Sequence, residues 1–373
     1  MSKLGVGIIG CGNISAAYLR LAPLFGDIEI RGVADMNTEA AQARGAEFNV
    51  PVFDVDGLLA AVNIDIVVNL TIPAAHYAVT TRILEAGKHA YSEKPLVLTL
   101  DEGEALRALA ASKGLRVGSA PDTFLGGAHQ QARQMIDAGD MGEIVAGTAH
   151  VMSHGMEHWH PNPDFFFQPG GGPVLDIGPY YITNLVQLIG PARRVAALAS
   201  SASPVRTITS QPRHGETIPV ETPTNIHALI EFANGATITL SASWDVWAHR
   251  HAPMELYGTE GSLFVPDPNF FGGALECAGR DGRIEPMAPW KHPFGVANQS
   301  DGHANYRTAG LADMAQAIRQ GRPHRCSLDL AVHAVDIMTS ILKSGETGSF
   351  VDLKTTCTRP EALALDAAQG LLA

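Results

Sequence analysis

A chain of 373 residues is longer than one hydrophobic core usually serves, so two domains are expected. Hydrophobic residues at 46% and charged ones at 17% supply sizeable cores and exclude a disordered chain. A formal charge of −12 with no lysine or arginine block argues against a nucleic-acid partner, and no apolar run reaches the roughly eighteen residues of a membrane span.

Cys11, Cys277, Cys326 and Cys357 are scattered and form no C-x-x-C pair. Neither a zinc knuckle nor a disulfide framework is suggested, and a reducing cytoplasm is the expected compartment. Met1-Ser2-Lys3-Leu4-Gly5 leads straight into an apolar run, without a signal-peptide pattern.

The first 120 residues alternate short apolar runs with helical patterns. Strands are expected at 4–9, 28–34, 65–70, 89–93 and 116–120, and helices at 14–24, 38–48, 74–86 and 100–112. Thr99 and Glu102 form a capping box for the last helix, which stops before Gly114. Such alternation predicts a parallel sheet covered on both faces. After residue 121 the rhythm changes. A helix at 126–138 precedes strands at 143–152, 194–202, 225–232, 236–244, 255–257 and 262–265, with Asn234-Gly235 as a hairpin signal. Helices are expected at 179–189, 306–320 and 328–343, and the polar, proline-punctuated stretch 203–224 reads as a loop. The expected architecture is therefore a doubly wound α/β domain over 1–121, followed over 122–373 by an α+β domain on a mostly antiparallel sheet.

Gly10-Cys11-Gly12-Asn13-Ile14-Ser15 follows a strand and opens a helix. Gly10 permits the tight turn, and Gly12 lets backbone N–H groups approach a pyrophosphate. Ser15 stands where the usual fingerprint has a third glycine, and is small enough for close helix–strand packing. Asp35 ends the second strand, where a carboxylate can hold an adenosine ribose; a helix cap is the plainer reading. Met36-Asn37-Thr38 offers no cation for a 2′-phosphate, which favours NAD, with NADP as the alternative.

Glu93-Lys94-Pro95 lies at the C-terminal end of an expected parallel strand, where ligands of such sheets bind. The proline holds Lys94 extended, giving a fixed cation, and Glu93 could contact the nicotinamide ribose or amide. A second constellation is Gly170-Gly171-Gly172-Pro173-Val174-Leu175-Asp176-Ile177-Gly178-Pro179-Tyr180. Asp176, Tyr180 and Asn184 recur every four residues, on one face of a helix. An N-cap and a packed aromatic would explain the same pattern. His154, His158 and His160 invite a metal reading, but Gly155, Pro161 and Pro163 make this segment a loop rather than a zinc-binding helix. No metal is expected.

These pieces together resemble the Gfo/Idh/MocA oxidoreductases over almost the whole chain. The matching segments are residues 7–12, Thr71-Ile72-Pro73 with His76, Gly87-Lys88-His89 leading to Glu93-Lys94-Pro95, residues 170–178, and Tyr257-Gly258-Thr259-Glu260-Gly261. The resemblance implies an NAD(P)-dependent dehydrogenase acting on a sugar, polyol or cyclitol. It implies cofactor contacts from Gly10, Gly12, Asn13, Ile14, Asp35, Thr71, Pro73, His76, Glu93 and Lys94. Catalysis would fall to Lys94, Tyr180 and Asp176, and substrate contacts to Asp122, His154, His158, Trp159, Asp176 and Tyr180. Many members carry histidine where this chain has Tyr180, so it resembles the tyrosine branch that includes dihydrodiol dehydrogenase and glucose-fructose oxidoreductase. A phenol titrates near pH 10 and needs a neighbouring ammonium to serve as a base. The resemblance also implies a Rossmann domain followed by an α+β domain with a large, mostly antiparallel open sheet, whose exposed face would make a homodimer or homotetramer. Two alternatives remain: a glycosidase using NAD for transient oxidation and elimination, and a non-enzymatic NAD sensor. His292, His303 and Arg307 read as surface-loop residues, with substrate contact as the alternative.

Overall fold

The computed structural model describes residues 3–373. The chain forms two compact units, each built from separate stretches. The first takes the residues up to Gly127, Lys291–Val332 and Pro360–Ala373; the second takes Ala128–Trp290 and His333–Arg359.

The first unit begins with β1 (Leu4–Ile9), α1 (Ser15–Leu21), β2 (Ile28–Ala34), α2 (Thr38–Phe48), β3 (Val52–Phe53) and α3 (Val55–Ala60). It continues with β4 (Ile66–Asn69), α4 (Pro73–Glu85), β5 (His89–Ser92), α5 (Leu100–Lys113) and β6 (Val117–Ser119). The strand order is β3-β2-β1-β4-β5-β6 with every pair parallel, the dinucleotide-binding arrangement. β4 is buried at all four residues and β1 from Gly5 onward, which is why both read as unbroken apolar runs. The Thr99–Glu102 capping box forms, and Gly114 closes α5 in the left-handed region at φ 63°. α1 is shorter than its pattern because the chain tightens into a 3₁₀ turn at Ala22–Leu24, with Pro23 inside it. β3 and α3 were not anticipated; two strand residues are too few to carry a period.

The sequence reading placed everything after residue 121 in the second domain, yet two later stretches belong with the first unit. The physical reason lies at the β6 edge, whose backbone groups need partners. Ser119 N donates to Cys326 O at 3.1 Å, and Gly118 bridges Ser327. Helix Ala309–Gln320 packs on the same strand, with Met314 Sδ close over Gly118. At the other end, Phe25 pairs with Leu372 and Arg319 with Asp27.

In the second unit the strands are β7 (Ile144–Met152), β8 (Ala192–Ser200), β9 (Val205–Thr207), β10 (Thr217–Pro219), β11 (Asn225–Phe232) and β12 (Thr237–Ser243). They continue with β13 (Met254–Gly258), β14 (Ser262–Val265), β15 (Glu276–Ala278), β16 (Ile284–Pro286) and β17 (Val351–Asp352). Nine of them form one sheet in the order β16-β15-β14-β13-β7-β12-β11-β8-β17, antiparallel except for β7 with β12. Asn234-Gly235 makes the β11–β12 turn, with Gly235 at φ 92°. Helix Gly178–Ile189 is buried along nearly its whole length. Leu198 and Leu229 stand exposed on the opposite sheet face, at 75% and 46%.

The stretch 203–224 is not a plain loop. β9 and β10 pair there, and Ile208 and Ile218 join Phe166, Phe167 and Trp244 in a small buried cluster. A few apolar residues in a polar stretch, Ile208, Ile218 and half-buried Val220, suffice once partners arrive from elsewhere in the chain. Among the described residues no helix is long and apolar enough to cross a membrane.

Candidate active site

β1 delivers the chain into a turn that only glycine can make. Gly10 has φ +105°, and a Cβ there would lie 2.6 Å from the Leu70 carbonyl. A Cβ on Gly12 would meet nothing within 4 Å, so this exposed backbone can be approached closely by a ligand. Asn13 beside it is exposed and Ile14 half-buried. Ser15 is fully buried; its hydroxyl donates to Gly12 O at 2.6 Å and accepts from Arg44 Nε at 3.0 Å. Arg44 was not anticipated. It comes from α2, and nothing local marks a helical arginine as reaching a distant turn.

Asp35 Oδ2 accepts Cys11 N at 2.7 Å and Oδ1 accepts Asn37 N at 2.8 Å. The α2 cap is Asn37, whose side chain accepts from Glu39 N and Ala40 N, so capping does not fall to Asp35. Burial and the Asp35 carboxylate push the Cys11 thiol up to about 11, which leaves it without nucleophilic character at neutral pH. The open glycine, the exposed turn and a carboxylate at the end of β2 fit an NAD pyrophosphate and ribose.

The second cluster surrounds Lys94. Glu93 is 8% exposed, and both its oxygens are engaged: Tyr18 Oη donates to Oε1 at 2.8 Å and Lys94 N to Oε2 at 3.1 Å. The Lys94–Pro95 bond is cis. His76 is buried between two carbonyl oxygens, with Nδ1 2.6 Å from Pro95 O and Nε2 3.0 Å from Thr71 O. Burial lowers its pKa despite those carbonyls, and a neutral ring can donate to only one of them. Thr71 Oγ1 donates to Asn69 Oδ1 at 2.7 Å, while Asn69 Nδ2 donates to His76 O and Thr80 Oγ1. Pro73 opens α4. His76 and Glu93, expected to touch the cofactor, are thus occupied in holding the turns that carry Thr71 and half-buried Lys94. Tyr18 from α1 joins the glycine turn to the Lys94 turn. It and Asn69 were missed, although a lone polar residue closing the run Ile66-Val67-Val68 was a usable signal for the latter.

Asp122 departs from expectation. It is 1% exposed, and Oδ2 accepts Thr308 N at 2.9 Å and Gly310 N at 3.1 Å, at the start of helix Ala309–Gln320. Burial lifts its pKa to about 6, against the opposing pull of Arg307 and the two amides. One of its oxygens thus anchors the start of that helix. His292 is likewise no surface-loop residue: it is fully buried, with Nε2 3.0 Å from Leu363 O.

In the second unit, Pro173–Asp176 forms one short turn before helix Gly178–Ile189. Asp176 is half-buried and Tyr180 6% exposed. Asn184 lies in the interior, with Nδ2 3.2 Å from His129 Nδ1 and Oδ1 accepting Gln187 Nε2 at 2.9 Å. The glycine run answers to backbone crowding: a Cβ on Gly171 would stand 2.5 Å from the Phe165 and Phe166 oxygens. His154, His158 and Trp159 follow β7 in a turn rather than a helix, with Trp159 56% exposed. His154 stacks on Trp247 with ring centroids 3.3 Å apart. Among the described residues no group of three or more His, Cys, Asp or Glu is placed to hold a metal ion.

Residues 4–120 match the oxidoreductase family with NAD-binding Rossmann fold, and residues 129–264 match the GFO/IDH/MocA C-terminal domain. An uncharacterised oxidoreductase of Schizosaccharomyces pombe is 34% identical over 165 residues, 43% of this chain and 44% of that protein. Levoglucosan dehydrogenase of Pseudarthrobacter phenanthrenivorans is 26% identical over 389 residues, 95% of this chain and 99% of the relative. A solved levoglucosan dehydrogenase, in complex with NADH and L-sorbose, shares the fold at a TM-score of 0.82, with 23% identity, 95% of this chain and 99% of the other being covered.

Proposed function

The chain belongs to the Gfo/Idh/MocA family of oxidoreductases, and from that premise we propose that it oxidises a hydroxyl of a sugar, polyol or cyclitol, or reduces the matching ketone. The observation that carries this reading is the double bracing of Lys94, through Tyr18 and Glu93 on one side and His76 and Pro95 O on the other. A surface lysine has no use for such support. NAD, when bound, supplies the hydride acceptor. Gly10, Gly12, Asn13 and Ile14 form its pyrophosphate turn; Asp35 takes the ribose and disfavours the 2′-phosphate of NADP; Thr71 and Pro73 border the Lys94 turn.

In alcohol oxidation Tyr180 takes the hydroxyl proton, and the Lys94 ammonium steadies the developing alkoxide. Asp176 orients a neighbouring hydroxyl. His154, His158 and Trp159 line the sugar, since aromatic faces and imidazole donors suit pyranose rings. The chain falls in the tyrosine branch of the family. Exposed Leu198 and Leu229 make the outer sheet face the surface for a homodimer or homotetramer.

The test is a panel of sugars, glycosides and inositols with NAD and NADP in parallel, read at the nicotinamide absorbance band. NADH accumulation with at least one member supports the reading; glycoside cleavage without it transfers support to the transient-oxidation alternative. Lys94→Met should lower kcat by about 10²–10³-fold. Tyr180→Phe should cost about 10²–10⁴-fold and alter the pH profile; an unchanged profile moves the proton to another group.

A further inference from the structure

One charged group in the second unit lies outside all the roles above. Arg206 of β9 is 7% exposed. Its Nη1 donates to Glu157 Oε1 at 3.0 Å, and its Nη2 donates to Trp244 O at 3.1 Å and to the Asp245 carboxylate. The guanidinium also lies over the Phe167 ring, 5.5 Å from its centroid. Glu157 is 5% exposed, and its carbonyl accepts Thr209 N and Ser210 N. Asp245 Oδ2 accepts Thr224 Oγ1 at 2.8 Å and Ala202 N at 3.2 Å. A single side chain therefore ties the loop after β7, the β9–β10 excursion and the end of β12.

Stability is a poor reason for this arrangement. Three nearly dry charges, two of them negative, carry a desolvation cost that apolar side chains of similar volume would avoid. What the grip provides is position. Glu157 stands three residues after His154, and Asp245 two residues before Trp247. Those two rings stack on one another at an interplanar angle of 18°, and Trp247 is 83% exposed. Two backbone bonds, Val246 N to Ser153 O at 3.1 Å and Ser153 N to Ser243 O at 3.0 Å, join the segments just before the two rings, while His154 itself lies in an irregular loop next to Gly155 at φ +88°. Arg206 holds the base of both.

We propose that Arg206 is a positioning residue for sugar binding: by gripping Glu157 and Asp245 it sets the His154–Trp247 ring stack, whose open Trp247 face receives the apolar face of a pyranose ring. The β9–β10 excursion is the support that brings the guanidinium to this point. The inference rests on the sugar-oxidoreductase reading and adds Trp247 to it.

The experiment uses the full-length protein with NAD and the best-turned-over sugar of the panel. Arg206→Met should raise the sugar KM about tenfold while kcat stays within about threefold. The Kd for NADH should stay at the wild-type value, Arg206→Lys should fall between the two, and Trp247→Ala should raise KM as much as Arg206→Met does. Hydrogen–deuterium exchange should quicken in 153–160 and 245–248 of Arg206→Met and leave 225–232 unchanged. An unchanged sugar KM in either Arg206→Met or Trp247→Ala overturns the proposal. So does an equal loss of NADH affinity with faster exchange throughout the sheet, which would make Arg206 a general stabiliser. If no sugar is turned over, the functional reading fails separately. The exchange result then decides whether Arg206 positions this loop, an unchanged pattern counting against it.

Discussion

The Lys94 turn and the His154 loop are both irregular segments following a strand, yet they are held by different means. Around Lys94 the supports are hydrogen bonds: Asn69 and His76 reach backbone oxygens, Glu93 accepts the Lys94 amide, and Tyr18 donates to the Glu93 carboxylate, all within the first hundred residues. Around His154 the side-chain support is one buried guanidinium arriving on a hairpin, with carboxylates from two further segments, beside backbone bonds from Thr209, Ser210 and Val246. A cation that must sit at one point gains from many short, directional side-chain bonds. A loop that must fit a particular ligand can instead share one charged brace among several segments, and exchanging that brace would loosen them together.

The largest expected effect breaks the first region outright. Gly10→Val forces a β-branched residue to φ +105° against the Leu70 carbonyl, which should cost about 3 kcal/mol and abolish NADH binding. Calorimetry and NADH fluorescence titration read the two effects; normal NADH affinity would show that this turn is not the cofactor's. Tyr18→Phe is a gentler cut. Removing a hydroxyl from a buried carboxylate should cost about 1.5–3 kcal/mol and lower kcat more than the sugar KM. Should KM rise alone, Glu93 would belong with substrate binding rather than with Lys94.

Acid should strain both units together. Burial holds His129, His292, His324 and His333 near a pKa of about 4, below the 6.5 of an exposed imidazole. The unfolded chain then binds more protons than the folded one between those values, so stability present above pH 6.5 is lost as pH falls toward 4. Asp122 acts oppositely. Raised from 3.8 to about 6, it adds stability at low pH that is lost as pH rises through its folded value. Four groups outweigh one, so Tm should fall from pH 6.5 to pH 4. A Tm flat across that window would mean the histidines are not buried neutral. The smallest effect is at the α5 cap, whose hydrogen bonds join Thr99 to Glu102 rather than to the groups around Lys94 or His154. Thr99→Ala should cost about 1 kcal/mol of stability and leave kcat and both KM values as they were.

The glycine turn after β1, Asp35 closing the second strand and Lys94 just past β5 were legible as positions, because each sits at a fixed offset from a strand end and such offsets survive as local pattern. What escaped were groups whose contribution depends on reach. Arg44 is an ordinary helical arginine until its guanidinium meets the Gly12 turn. Asp122 read as a ligand contact because it follows a strand of the sheet, but helix Ala309–Gln320 claims it from a far later part of the chain. The stretch 203–224 read as loop because the partners on which its Ile208 and Ile218 pack, Phe166, Phe167 and Trp244, come from other parts of the chain.

The order of the longer strands and helices, the hairpin at Asn234-Gly235 and the place of the glycine turn follow from the residues alone. Hydrophobic period, caps and positive-φ positions act over a few neighbours, and a few neighbours are what a sequence displays. Which distant side chain braces which turn was decided only on folding. A buried charge or hydrogen-bonding group finds its partner wherever packing brings one, and the cost of leaving it unpaired, not its position in the chain, selects that partner.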